Sequence, residues 1–217
     1  MRAERHAPDT PVTRTCVGCK ERAVKSSLLR LVAAGDAIQP DPSARLLVVP
    51  ALAGCLVALT LGIYGRVHPP TGVAVDVVGF SSPATVKAWL ATVAVVFALV
   101  QFGSALVMYG KVPGIAAPSW MGALHRWSGR IAFIVTVIVA VHCLYALGFE
   151  TFDARVVVHS IAGCLFFGTF TAKMLALTRR GMPGWVLPLL GGVTFALLVL
   201  IWFTSAFWFF SFFGFRR

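Results

Sequence analysis

The sequence predicts an all-α integral membrane bundle of five transmembrane helices, preceded by a short, poorly ordered N-terminal segment. Two features of composition lead to this fold class: 58% of the 217 residues are apolar and only 12% are charged, with a mean hydropathy of +0.84. Soluble domains are closer to half apolar and a quarter charged. The third feature is that apolar residues collect into five stretches of about 20 residues, the length that crosses a membrane. These features exclude an ordinary soluble domain.

The charged residues divide the chain into two parts. Residues 1–45 carry 8 of the 19 Lys and Arg residues and 5 of the 8 Asp and Glu residues, whereas residues 46–217 carry the remaining 11 and 3. We therefore treat 1–45 as a basic N-terminal segment and 46–217 as the transmembrane domain. The formal net charge of +11 indicates membrane lipid as the first partner of the chain and nucleic acid as the second.

Helices are predicted for all five apolar stretches because an isolated span must satisfy its backbone hydrogen bonds internally. In chain order they cover roughly 46–64, 88–109, 127–147, 156–177 and 185–210. The linkers between them are short, so consecutive helices are expected to be antiparallel. Basic residues concentrate on the side of the N-terminus, which predicts a multi-pass protein of the cell membrane with a cytoplasmic N-terminus.

Two histidines at matched depth are the strongest functional signal. His142 lies five residues before the end of the third predicted span, and His159 lies three residues into the fourth. Both imidazoles are therefore expected near the outer surface, on adjacent antiparallel helices. Paired imidazoles of this kind ligate haem iron from both sides and suit it to electron transfer. We predict one haem b with His142 and His159 as its iron ligands.

Neighbouring residues complete the predicted haem site. Gly163 lies one turn from His159 and leaves room for a porphyrin, while Tyr145 and Arg155 lie near enough to the outer interface to meet the haem propionates. The alternative interpretation is that each histidine only hydrogen-bonds to a neighbouring helix. Zinc is less favoured than haem because no third strong ligand lies at this depth, unless His68 joins the pair from the first outer loop.

A second, inner haem would depend on His125, which begins the segment HRWSGR. It lies about 25 Å from His142 along the helix at ~1.5 Å per residue, too far to share the outer haem. Met108 and Met174 are the available partners at its depth. The interpretation we prefer is that His125 is an interface residue, with Gln101 as an interhelical hydrogen-bond partner in the second span.

The segment HRWSGR, followed by His142 and His159, resembles small bacterial membrane cytochromes b. These include cytochrome b-561 and ferric-reductase-like transmembrane domains, and most closely an actinobacterial five-helix family of uncharacterised function. The resemblance covers roughly 48–217 and implies electron transfer with a quinol or a redox partner protein. Diheme members of the group carry two bis-histidine pairs, whereas this chain shows one.

The run RTCVGCKERAVKSSLLRLV, followed by PDPSARL, resembles the start of YlxR-type proteins, a small soluble family regarded as nucleic-acid-binding. The resemblance covers roughly residues 12–47, where the chain continues directly into apolar sequence, so the family's fold is incomplete. Five basic residues of this run are the ones expected to meet RNA phosphates: Arg14, Lys20, Arg22, Lys25 and Arg30.

Two other interpretations of this segment are favoured over RNA binding. One is a basic tail attracted to anionic lipid, and the other is a remnant of a gene fusion or of a misassigned start. Cys16 and Cys19 form one CxxC knuckle, which supplies two of the four ligands that a structural zinc site needs. With His6 as a poor third ligand, zinc is expected only if a partner chain contributes.

The leading functional hypothesis is therefore a haem-b electron-transfer protein of the membrane. Since no flavin or nicotinamide fingerprint is present, we expect a redox module or an oxidoreductase subunit rather than a complete enzyme. A cofactor-free membrane scaffold or assembly subunit is the first alternative, and a membrane-tethered nucleic-acid-binding protein is the second. Association with further copies of the chain is left open.

Overall fold

The computed structural model describes residues 13–15, 22–24, 44–74 and 77–215. Within them, five helical segments are long and apolar enough to cross a membrane, which confirms the predicted number of helices. The segments cover Arg45–Val67, Pro83–Met108, Met121–Leu147, Ala154–Thr178 and Val186–Phe213. The predicted all-α fold class is confirmed for this part of the chain, and the N-terminal segment adds two paired strands of three residues each.

The paired strands are β1 (Thr13–Thr15) and β2 (Arg22–Val24), and they run antiparallel. Their β-branched Thr and Val residues favour an extended backbone. A segment inside a membrane must satisfy its own backbone hydrogen bonds, but a segment outside the apolar spans need not. Two short segments can therefore pair with each other here.

The helical part begins with a short 3₁₀ turn, and two of its helices contain or adjoin a π turn. The 3₁₀ turn covers Ala44–Leu47, and the first four α-helices are α1 (Val48–Val67), α2 (Pro83–Met108), α3 (Met121–His142) and α4 (Ala154–Thr178). A π turn at Cys143–Leu147 follows α3. Helix α5 (Val186–Trp202) continues through a π turn at Phe203–Phe207 into α6 (Trp208–Phe213). The α5–α6 segment is one continuous rod.

Two helices begin earlier than the sequence predicted. Helix α2 starts at Pro83 rather than at residue 88 because the Ser82 hydroxyl accepts a hydrogen bond from the Thr85 amide at 3.3 Å. A proline in the first turn behind a serine cap is a favourable helix start. Helix α3 starts at Met121 rather than at residue 127. In both cases polar residues lie in the first turns, so the apolar run begins later than the helix. The helical backbone hydrogen bonds include these polar residues.

Consecutive helices pack together in only two of the four cases. Helix α1 packs closely against α4, α2 against α3, and α4 against α5, with further contacts between α2 and α5. Direct packing between α3 and α4 is sparse, although only the linker 148–153 joins them. A gap therefore separates the two helices. We call the end of the bundle where α3 ends and α4 begins the linker end, and the other end the His125 end.

Small residues and an aromatic cluster hold this arrangement. A Cβ placed on Gly54 of α1 would lie 2.6 Å from the Gly168 carbonyl oxygen of α4, so the two backbones are nearly in contact. Between α3 and α4, the Phe133 and Phe170 rings stack with centroids 3.9 Å apart. Phe166, next to Phe170 on α4, packs with Leu198 of α5 in the buried core. The aromatic rings thus close the gap towards the His125 end and leave it open at the linker end.

Candidate functional site

A cavity of about 580 Å³ occupies the gap between α3 and α4 in the half of the bundle near the linker end. We call it the α3–α4 cavity. On the α3 side its wall is small and mostly apolar, with Thr136, Ala140 and Cys143 in one stripe. Its size falls within the roughly 300–1,000 Å³ typical of small-molecule and cofactor sites. The polar groups of the wall come mainly from α4, α2 and the α5–α6 rod.

His159 is the histidine on this wall, which also contains Cys143, Cys164 and Glu150. Its Nδ1 atom lies 3.1 Å from the Thr204 hydroxyl oxygen, which itself lies 2.8 Å from the Leu200 carbonyl oxygen. Because the hydroxyl has one proton and donates it within its own helix, Nδ1 is the donor towards Thr204. The lone pair of the imidazole is then on Nε2, and the Ile201 backbone carbonyl is a further acceptor beside the same imidazole. In metal-binding histidines, the ring nitrogen that does not bind the metal usually donates a hydrogen bond, and that bond orients the ring.

Arg155 is held at the same wall by three contacts. Its guanidinium donates to the Thr204 carbonyl oxygen at 2.6 Å and lies over the Trp208 ring, 3.9 Å from the ring centroid. Its Nε atom lies 3.6 Å from an Asp153 carboxylate oxygen. Thr204 therefore binds α4 twice, through its hydroxyl to His159 and through its carbonyl to Arg155. The π turn that contains Thr204 directs both groups towards α4, and such turns are frequent at functional sites.

The cavity brings together three of the five residues predicted for the outer haem. His159, Gly163 and Arg155 all line it. A Cβ on Gly163 would meet no atom within 4 Å, so the wall is open at this position. The predicted room beside Gly163 is present in the structure.

The other two predicted residues, His142 and Tyr145, do not line the described cavity. His142 is the last residue of α3 and precedes Cys143 of the cavity stripe, so its direction differs by about 100° at ~100° per residue. It is partly buried and within electrostatic range of Lys87 on α2. His142 and His159 therefore lie at the same end of the bundle, but only His159 lines the cavity.

Tyr145 belongs to an aromatic stack outside the cavity. The His68 ring lies between Tyr64 and Tyr145, with centroid distances of 4.9 Å and 5.3 Å. His68 Nε2 is buried and has no hydrogen-bond partner among the described residues. His68 therefore does not join His142 and His159. Within the described part of the chain, no group of three His, Cys, Asp or Glu side chains is arranged to hold a metal ion.

His125 is bound to α2 at the other end of the bundle. Its Nδ1 atom lies 3.0 Å from both the Ser104 hydroxyl oxygen and the Gln101 carbonyl oxygen. This geometry agrees with the interface interpretation. Gln101 contributes its backbone carbonyl rather than the side-chain amide, which packs over Gly129 instead.

Sequence reasoning missed Thr204, Lys87 and Trp208, all of which line the α3–α4 cavity. The signal for Thr204 was the Thr-Ser pair inside an aromatic-rich span, since hydroxyl side chains in such spans often bind neighbouring helices. Lys87 was visible as a single charge at the start of a span.

Most of the predicted N-terminal site lies outside the described residues. Arg14 is in β1 and Arg22 is in β2. The remaining predicted residues fall on undescribed parts of the chain: His6, Cys16, Cys19, Lys20, Lys25 and Arg30. RNA and zinc binding stay predictions.

The fold and the site define a helical bundle of membrane-spanning dimensions with a cofactor-sized cavity between its third and fourth spans. A family model, described as a family of unknown function (DUF6529), matches residues 47–217. Because the match covers most of the chain, the chain belongs to this family. No curated protein and no solved structure matched the chain.

Proposed function

We propose that the chain is a multi-pass membrane protein that binds one haem b in the α3–α4 cavity and serves as an electron-transfer module. The observation that carries this proposal is His159, whose Nδ1 proton is held by Thr204, so that the lone pair is on Nε2 at the cavity wall. Bound haem supplies a one-electron redox couple whose potential depends on its axial ligands and surroundings.

The rest of the wall suits a porphyrin. Small and apolar side chains dominate the α3 side, and Gly163 leaves the α4 side open one turn from His159. Lys87 and Arg155 are two cations on the same wall. Haem carries two propionate carboxylates, which such cations can bind. The same wall also contains the acid Glu150, and Arg155 is paired with Asp153, so Lys87 is the cation best placed to bind a propionate.

His142 is the residue that would hold the iron together with His159. It directly precedes the π turn Cys143–Leu147, whose first residue lines the cavity. A π turn holds one extra residue in a helix, so a shift of its position by one residue redirects the side chains beside it. If His142 is not a ligand, His159 alone holds the iron, and the two cases have different spectra.

The His125 end is proposed to face the cytoplasm. Described cations at this end include Arg45, Lys111 and Arg179, whereas the two described acids, Glu150 and Asp153, lie at the linker end. Cytoplasmic loops carry the excess of Lys and Arg in membrane proteins. The haem would then lie near the outer face, where a quinol or a redox protein exchanges electrons with it.

The test is a reduced-minus-oxidised visible spectrum of protein purified in detergent from haem-replete cells. We expect a b-type signal in the wild type, its loss in His159→Ala, and its retention in His125→Gln, a matched histidine variant outside the cavity. A low-spin wild-type spectrum that is lost or becomes high-spin in His142→Ala would indicate two histidine ligands. A high-spin wild-type spectrum that His142→Ala leaves unchanged would indicate that His159 alone holds the iron. Colourless wild-type protein would overturn the proposal in favour of a cofactor-free scaffold.

A further inference from the structure

A lysine without a carboxylate partner lies inside the His125 end of the bundle. Lys173 is on α4, five residues before the helix ends, which is about 8 Å at ~1.5 Å per residue. Its side chain is partly buried, and its Nζ atom lies 3.9 Å from the position that a Cβ on Gly191 of α5 would occupy. No carboxylate of the described residues forms an ion pair with it. A lysine this close to a helix end reaches the membrane interface, where it meets the lipid headgroups.

The groups around Lys173 are also cationic or hydrogen-bond donors. Lys173 is within electrostatic range of His125, and Arg126 follows His125 on α3. Further cations of this end lie at its surface: Arg45, Lys111, Arg130, Arg179 and Arg180. An unpaired buried ammonium is unfavourable, and the positive surroundings make it more so. An anion bound at this position would remove the penalty.

We propose that Lys173 binds the headgroup phosphate of an anionic phospholipid, with His125 as the neighbouring donor. The depth of about 8 Å below the helix end matches the interfacial layer of a membrane, where lipid phosphates lie. Gly191 presents no side chain on α5 beside the ammonium. The proposal rests on membrane insertion and is independent of haem.

The experiment compares lipid binding to the full chain in detergent by native mass spectrometry. The lipids are phosphatidylglycerol and phosphatidylcholine, and inorganic phosphate serves as the competitor. We expect the wild type to retain phosphatidylglycerol preferentially. Lys173→Gln is expected to weaken this retention about tenfold, the change that corresponds to one charge-assisted hydrogen bond. Lys111→Gln, a matched variant of an exposed cation at the same end, is expected to behave as the wild type.

Two further measurements keep the result decisive. Lys173→Arg preserves the charge and is expected to keep the preference, and the melting temperature in phosphatidylcholine shows whether Lys173→Gln is folded. Equal phosphatidylglycerol retention by folded Lys173→Gln and wild type would overturn the proposal. Displacement of the lipid by millimolar inorganic phosphate would replace it with a free-phosphate site. Neither result bears on the haem spectrum, so the two proposals fail separately.

Discussion

At the scale of single residues, hydrogen-bond partners separate three histidines that look alike in the sequence. His159 has its proton directed to Thr204 and its lone pair on Nε2, whereas His125 is bound to the backbone and a hydroxyl group of α2. His68 is stacked between two tyrosines with a buried nitrogen that has no described partner. We therefore expect different consequences when each is replaced.

Thr204→Val removes the hydrogen-bond acceptor of His159 at nearly constant volume. We expect haem affinity to fall by about 10–100-fold, the usual cost of removing the group that orients a metal-binding histidine. The measurement is a haem titration of apoprotein, with Thr204→Ser as the matched variant that retains the hydroxyl group and near-wild-type affinity. Equal affinities of the Val and Ser variants would show that Thr204 does not position His159.

His68→Phe keeps the aromatic stack and removes the buried nitrogen. We expect the free energy of unfolding to stay constant or to rise, since an unsatisfied buried polar group costs about 1–3 kcal/mol. His68→Ala loses the stack, and aromatic pairs contribute about 0.5–1.5 kcal/mol each beyond their buried area. Melting temperatures in detergent compare the two variants. A strong loss of stability in His68→Phe would indicate that Nε2 has a partner.

At the scale of elements, close contact between α1 and α4 defines one side of the bundle, and sparse contact between α3 and α4 defines the cavity. Gly54 and Ala58 of α1 face Gly168 and Ala172 of α4, a pairing of small residues that lets two helices approach closely. Because α1 and α5 both pack on α4 while α2 packs on α3, the gap between α3 and α4 is bridged by other helices rather than closed.

Gly168→Ala places a methyl group 2.5 Å from the Gly54 carbonyl oxygen, so α1 and α4 must separate. We expect a net loss of stability of about 1–3 kcal/mol, as for other overpacked interiors. Gly103→Ala on α2 is the control, because a Cβ there meets nothing within 4 Å. In that variant the higher helix propensity of Ala is expected to leave stability unchanged or raised. Equal losses of thermal stability in the two variants would contradict the close contact between α1 and α4 at Gly168.

At the scale of the whole molecule, charge distinguishes the two ends of the bundle. The His125 end carries cations without a described acid, and the linker end carries both described acids. This asymmetry predicts that the His125 end faces the cytoplasm.

Alkaline phosphatase fusions test this orientation, since the enzyme is active only outside the cytoplasm. We expect fusion after residue 113, in the linker between α2 and α3, to be inactive, because that linker is at the His125 end. Fusion after residue 151, between α3 and α4, is expected to be active. The reverse pattern would place the His125 end outside and with it the proposed lipid site.

The sequence alone determined five helices, their order and the charge difference between their ends, because local composition and backbone hydrogen bonding control these properties. It also placed His142 and His159 at similar depth. Only the tertiary structure decided that His159 lines a cavity while His142 does not. The rotation of each helix depends on simultaneous packing against several others, and this is not local. The same holds for Thr204, which reaches His159 from 45 residues away, and for the Gln101 carbonyl that binds His125.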